Sequence, residues 1–383
     1  MKSYDFAVVG AGVFGAWTAH FLRKSGASVI LLDAHGPANS RASSGGETRV
    51  IRMGYGPDEL YTRWAMRSLP QWLELSARVG KEIFHKTGVL WLSTPHDPYL
   101  KSLCSVLAQA GVEREELNAE QIAHRWPQLR FHGVRWGILE PASGLLMARA
   151  SVQALVRDLM RSGVEYAQLG VATPRGNGKL KEIQTSNGES ISAGTFIFAC
   201  GPWLPKLFPE LLQDRIFITR QEIFFLGAPA GSADFRLPKM PVWLHRTYAD
   251  LPYALPDVEG RGFKIAFDRH GERFDPDSGM RVVPQSSVDH LRAYLRQYIP
   301  ALENAPVIET RVCQYENTSS GDFLVDRHPG FENVWIAGGG SGHGFKHGPA
   351  LGEHLSARIL HNATAEPRFS LAAKQTAQNR AIF

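Results

Sequence analysis

YDFAVVGAGVFGAWTAHFLRKSGASVILLDA, residues 4–34, reads as a strand, a glycine turn, a helix and a second strand that ends in an acid. That order is a βαβ unit, and its glycines stand at motif spacing. Gly10 permits the tight turn, Gly12 lets the backbone approach a pyrophosphate, and Gly15 lets the helix pack on the strand. Asp33, 23 residues after Gly10, is placed to hydrogen-bond a ribose. A lone GxGxxG is weak evidence. Here the strand before it, the helix after it and the acid beyond all agree, so a dinucleotide site is expected. On these residues alone, FAD and NAD both fit.

Working outward, the chain adds further pieces to the same sheet. MARASVQALVRDLMRSG (147–163) has the apolar spacing of an amphipathic helix, GVEYAQLGVA reads as a strand, and KLKEIQTSNGESIS as a hairpin turned by Asn187 and Gly188. TFIFACGPW looks like a buried strand running into Gly201, with Cys200 a small core residue. NVWIAGGGSGHGFKHGPALGEHLSARIL has the form strand, glycine loop, helix, which would aim a second helix N-terminus at a bound group. A nicotinamide enzyme has no need of this returning loop. A long cofactor held from several sides does, which favours FAD.

Two insertions interrupt these pieces. Residues 86–146 open with HKTGVLWLS, and residues 218–319 open with ITRQEIFFLG and carry the helix SSVDHLRAYLRQYI, with Ser286 expected as its cap and Asp289 three residues on. The expected architecture is α/β: a discontinuous Rossmann-type FAD-binding domain (1–85, 147–217 and 320–383) and a mostly antiparallel-sheet substrate domain (86–146 and 218–319).

Composition fits an enzyme of this kind. The chain has 383 residues, 44% of them apolar, enough for two packed domains. Its three cysteines, Cys104, Cys200 and Cys313, form neither a disulfide framework nor a CxxC pair, as expected of a reduced cytoplasmic protein without bound metal. Lys plus Arg (42) barely exceed Asp plus Glu (37), with no basic block, so nucleic acid is not an expected partner. No run reaches the roughly 18 apolar residues of a membrane helix, and a membrane is not an expected partner either. The apolar start after Lys2 is broken by Asp5 and carries the glycine motif, and is read as mature structure rather than a signal peptide.

Beyond the glycine motif, the segments SSGGETRVIRMGYG, HKTGVLWL, ACGPW, GFKIAFDRHGERFDPD, CQYENTSSGDFLVDRHP and SGHGFK occur in an order and spacing that resembles, over nearly the whole chain, the monomeric sarcosine oxidase group of the D-amino-acid-oxidase-like flavoproteins, which includes N-methyltryptophan and pipecolate oxidases. In that group, a cysteine at the position of Cys313 in CQY carries FAD covalently through its 8α-methyl carbon. The polarity of QYENTSSGD after Cys313 also argues against a core strand and for a thiolate in an electropositive site. The resemblance implies cofactor contacts at Gly10, Gly12, Val13, Phe14, Gly15, Asp33, Ser43, Arg49, Val171, Gly201, Cys313, Gly340, Gly342, Gly344 and Lys346.

It also implies a division of chemical labour. Arg49 and Arg52, three apart in ETRVIR, lie on a loop or a helical turn; the first stands by the flavin and the second binds a substrate carboxylate together with Lys346. A charged hydrogen bond of this sort is worth about 1.5 to 3 kcal/mol. Lys264, on an alternating strand RGFKIAF that turns it to the side of Gly262 and Ala266, is placed over the flavin, where its charge favours electron transfer to oxygen. Tyr253 and Tyr315 match pocket tyrosines, Tyr315 with a catalytic part. The expected reaction oxidises the carbon–nitrogen bond of a secondary or cyclic amino acid to an imine and reduces O2 to hydrogen peroxide.

Two positions depart from the group. Ser44 and Gly45 replace a pair of histidines, and Asp268 replaces a site histidine four residues after Lys264. Because a buried carboxylate needs a partner, Asp268 is expected either to pair with Arg269 or Lys264, or to receive a hydrogen-bond donor from the substrate. The second case would favour a substrate with hydroxyls or a further cation, such as a fructosyl amino acid, over sarcosine. A flavoprotein that binds FAD without turnover, as a redox sensor, has no evident need of Arg52, Lys264 and Lys346.

Overall fold

The computed structural model describes residues 3–378. The opening unit forms as read. Strand Ser3–Val9 leads through Gly10–Gly12 into helix Val13–Lys24 and on to strand Val29–Leu32, which pairs parallel with the first. These strands are apolar runs buried on both faces, as the centre of a parallel sheet requires. The sheet continues on both sides, in the order Leu324–Arg327, Val334–Gly338, Ser190–Phe198, Ser3–Val9, Val29–Leu32, Glu165–Ala167. Its pairs are parallel except for the edge strand Leu324–Arg327. The expected hairpin is present: Glu182–Gln184 pairs antiparallel with the start of Ser190–Phe198, and Gly188 in its turn has φ +85°. The helix predicted at 147–163 spans Ala148–Arg161.

A second sheet of eight strands draws on residues 89–140 and 217–317, and its pairs are antiparallel except Val242–His245 with Val89–Ser93. Its longest pairing joins Phe217–Leu226 to Val307–Asn317. The chain is thus a mixed α/β protein with a parallel and a mostly antiparallel sheet. A small third sheet carries Arg49–Ile51 against Gly144–Leu146.

Two sequence expectations change here. The polar stretch after Cys313 is a strand after all, with Gln314, Glu316 and Asn317 buried. Polarity misled because these side chains spend their polar atoms on neighbouring backbone and on a cavity rather than on solvent. Helix Gln285–Tyr298 begins directly after Pro284, with no side-chain cap, and Ser286 lies inside its first turn. Proline supplies the extended entry at ψ 156°, and Asp289 instead accepts from Gln285 Nε2 at 3.0 Å. The C-terminal helix Gly348–His361 packs its first turn on the first helix, where a side-chain carbon on Gly348 would stand 2.5 Å from Val13 and 2.8 Å from Trp17.

Candidate active site

Four parallel strands end together, at Val9, Leu32, Phe198 and Gly338, and a cavity of about 330 Å³ opens beyond their carboxyl ends. That is where open α/β sheets bind ligands, because each strand is followed by a turn whose amides and side chains face outward. The strand Val307–Asn317 closes the cavity from the second sheet. Of the expected cofactor contacts, Gly10, Gly12, Val13, Phe14, Asp33, Ser43, Arg49, Val171, Gly201, Cys313, Gly340, Gly342 and Gly344 line it. Gly15 and Lys346 lie outside that wall. Gly15 is instead tight against the turn, where a side-chain carbon would sit 1.9 Å from the Gly10 carbonyl oxygen.

The residues present fit a flavin dinucleotide. Gly10 holds φ +106°, closed to most side chains, and turns the chain sharply. At Gly12 the space a side chain would take is open, the nearest atom being Ser44 Oγ at 3.6 Å, so an incoming phosphate meets backbone at a helix N-terminus. Asp33 holds the amides of Ala11 (2.8 Å) and His35 (2.9 Å), and burial pushes its carboxyl up against the lowering effect of those amides. Ser44, which stands where a histidine was expected, accepts from the Val13 amide at 3.2 Å. Cys200 lines the cavity rather than a closed core, with its thiol pushed up by burial and by the nearby Asp33 carboxyl.

Cys313 projects from its strand into the same cavity, with its Sγ 3.5 Å from the Arg49 guanidinium. Arg49 is fixed in place by bonds to the carbonyls of Ser43 (2.7 Å) and Thr48 (2.9 Å). It lies in the short strand Arg49–Ile51 rather than on a helical turn, and Arg52 follows that strand directly. The two arginines accordingly point to different places. Arg52 is sandwiched between the rings of Tyr55 (4.3 Å) and Trp91 (4.7 Å) and donates to the Gly54 carbonyl. Lys346 Nζ donates to the Tyr55 phenol oxygen at 2.7 Å and to the His343 carbonyl at 3.0 Å. Both cations are buried, and both converge on Tyr55, 291 residues from Lys346 in sequence. Two buried cations thus meet around one phenol. The neighbouring His347, 2.7 Å from the same phenol, is pushed well down, chiefly by burial and then by Lys346 and Arg52, so it adds no third charge.

Lys264 is buried, and its Nζ donates to the Thr48 carbonyl at 2.7 Å. Burial pushes its ammonium well below the usual lysine range; Arg49 adds to that effect and Cys313 opposes it. Tyr315 lines the cavity and donates to Asp268 Oδ1 at 2.9 Å. Its phenol is raised well above the usual tyrosine range by burial and then by Asp268, and that of Tyr253 is pushed up to about 12, again by burial first. The pairings expected of Asp268 fall elsewhere: Arg269 turns to Asp250 (3.1 Å) and Lys264 to the Thr48 carbonyl.

Sequence reasoning missed several supports of this site. Tyr55 lies in the matched segment SSGGETRVIRMGYG but was given no role there. Glu140 is fully buried and accepts from Trp91 Nε1 (2.8 Å), Ser143 Oγ (2.7 Å) and the Met53 amide (2.7 Å), which holds the Arg52 segment against Trp91. Glu47 is buried among Arg149 (3.3 Å), Arg261 (3.4 Å) and Arg311 (2.7 Å). A buried acid ahead of Thr48 and Arg49 was the one available signal. Among the described residues, no helix is long and apolar enough to cross a membrane.

The chain belongs to the FAD dependent oxidoreductase family, which it matches over residues 5–358. Monomeric sarcosine oxidase of Arthrobacter sp. (strain TE1826) is 30% identical over 93% of this chain and 92% of its own. N-methyl-L-tryptophan oxidase of Salmonella heidelberg (strain SL476) is 29% identical over 91% and 93%. Among solved structures, L-proline dehydrogenase from P. horikoshii superposes with a TM-score of 0.84 at 20% identity over 97% of each chain. The deglycating fructosamine oxidase of Aspergillus fumigatus (Amadoriase II) gives 0.83 at 20% identity, over 100% of this chain and 94% of its own. At that identity the likeness shows a shared fold.

Proposed function

We propose that this protein is an oxidase of secondary or cyclic amino acids that converts their carbon–nitrogen bond to an imine and releases hydrogen peroxide, with its FAD held through Cys313. The carrying observation is the convergence of Arg52 and Lys346 on Tyr55. A substrate carboxylate taken up between them would gain two charge-assisted bonds, each worth about 1.5 to 3 kcal/mol. The bound FAD supplies the hydride acceptor and the path of electrons to oxygen. The chain's residues bind and orient: Arg52 and Lys346 fix the carboxylate end, Tyr315 bounds the pocket with Tyr253 behind it, and Arg49, together with Lys264 in its protonated form, brings positive charge to the flavin side. The related oxidases of sarcosine and N-methyl-L-tryptophan support this substrate class.

The test is a panel of sarcosine, N-methyl amino acids, pipecolate, proline and fructosyl amino acids, read by peroxide. Peroxide with at least one secondary amino acid is expected. Silence across the panel from FAD-loaded protein would favour a non-catalytic flavoprotein.

A second reading rests on Asp268. Its carboxylate accepts a hydrogen bond from the Tyr315 phenol beside the cavity, and a substrate bearing hydroxyls, such as a fructosyl amino acid, would find an acceptor there. If so, Asp268→Asn lowers kcat/KM for the preferred substrate by about 1 to 3 kcal/mol in transition-state terms and changes simple N-methyl amino acids little. Preference of the wild type for sarcosine over every larger amine would leave Asp268 as an orienting partner of Tyr315.

A further inference from the structure

The strand Val307–Asn317 places one more acid on the cavity wall, and none of the chemistry above employs it. Glu316 is 7% exposed, lines the cavity, and its Oε2 has no hydrogen-bond partner. Its carboxyl sits in a notch between two glycine turns that follow the carboxyl ends of parallel strands. Side-chain carbons built on Gly340 and Gly338 would stand 3.2 and 3.3 Å from its oxygens, and one on Gly201 3.7 Å away. Any larger residue at Gly340 or Gly338 would crowd it, so the notch is shaped around this side chain.

Among the described residues, no cation pairs with Glu316. Its register partner on the adjoining strand is Ile218. From the turn after Ser190–Phe198 comes Cys200, a thiol held neutral by burial and by the Asp33 and Glu316 carboxyls. The loop after Gly338 brings Ser341, whose hydroxyl is spent on the Gly339 carbonyl at 2.9 Å, and His343, whose Nε2 lies 2.9 Å from the Gly321 carbonyl. Burial therefore pushes the Glu316 carboxyl up to about 7, against the lowering effect of the Gly340 and Gly339 amides. An ionised carboxylate here would lie unpaired in a poorly solvated wall and beside a diphosphate site, where two like charges repel. The neutral acid avoids both costs and carries a donor. That donor needs an acceptor, and because the side chain lines the cavity a bound group can offer one.

We propose that Glu316 binds the cofactor as a neutral carboxylic acid, donating its O–H to an oxygen of the ribityl–pyrophosphate span, so that FAD binding above neutral pH takes up one proton from solvent. The proton stays on Glu316 in the complex, and no bond to the flavin is made or broken. The inference rests on the FAD site alone and is independent of the substrate and of the Cys313 linkage.

The experiment uses Cys313→Ala protein stripped of flavin, so that binding is reversible, with FAD affinity measured from about pH 6 to about pH 9. Affinity is expected to fall by up to about tenfold per pH unit once Glu316 titrates, with calorimetry in buffers of different ionisation enthalpy showing proton uptake at the alkaline end. Glu316→Gln keeps a donor of the same shape and removes the titration, so its affinity should hardly vary over that range. An equal slope in the Gln variant, or no proton uptake by the parent, overturns the proposal. A second readout needs no stripped protein. The infrared spectrum of the wild-type holoenzyme at neutral pH should contain a protonated-carboxyl stretch, shifted by D2O, that Glu316→Gln removes; its absence from the wild type overturns the proposal equally.

Discussion

Acid-precipitated protein is expected to carry its yellow colour into the pellet, because a thioether survives loss of the fold whereas packing and hydrogen bonds do not. The geometry supports this outcome: Cys313 Sγ faces the cavity and lies 3.5 Å from Arg49, which would serve as the counter-charge of a thiolate nucleophile. Cys313→Ala should fold and bind FAD but release essentially all of it to the acid supernatant. The contrast is close to all-or-none and is read by absorbance of pellet and supernatant. A colourless wild-type pellet would show that Cys313 is only a neighbour of the flavin.

The second large effect is expected at Lys264. Lys264→Met keeps much of the volume and removes a buried ammonium that is held beside Arg49 by the Thr48 carbonyl. In rapid-mixing experiments, anaerobic reduction by substrate should change modestly, while reoxidation by oxygen should slow by about 10²- to 10³-fold, the usual cost of losing one preorganised electrostatic contact. Burial and Arg49 both press Lys264 toward its neutral form, and a negative charge nearby would oppose them. The charge of Lys264 is then the one expected to depend on pH. Reoxidation in the wild type should accordingly fall as pH rises through the lysine's depressed titration, and this dependence should vanish in the Met variant. Equal slowing of both half reactions would remove Lys264 from the oxygen step.

Glu140 and Glu47 show why the supports of the site were harder to read than its centre. Each is a carboxylate made useful by partners far away in sequence, Trp91 and Met53 for the first and Arg149, Arg261 and Arg311 for the second. Neither acid has a local spacing that announces those partners. Cys313 was legible for the opposite reason, since CQY is a short, contiguous motif. Its setting was nonetheless misjudged. A strand with Gln314, Glu316 and Asn317 buried looks unlike a core strand until the cavity beside it is known.

What the amino-acid sequence determined by itself was whatever depends on neighbours in the chain. Gly10 at φ +106°, the close approach of Gly15 to the Gly10 carbonyl, the hairpin at Gly188 and the acid ending the second strand follow from local sterics and short-range spacing, and they were enough to specify the βαβ unit and a dinucleotide site. The tertiary structure alone decided which side chains share an environment. It separated Arg49 from Arg52, three residues apart, by ending a strand between them, and it brought Arg52 to Lys346 through Tyr55. It sent Asp268 to Tyr315 rather than to Arg269, and it left one oxygen of Glu316 unpaired on the cavity wall. Burial and charge act through space, and they shift Lys264 and Glu316 in opposite directions of charge for one reason: each is removed from water, and desolvation disfavours whichever form is ionised.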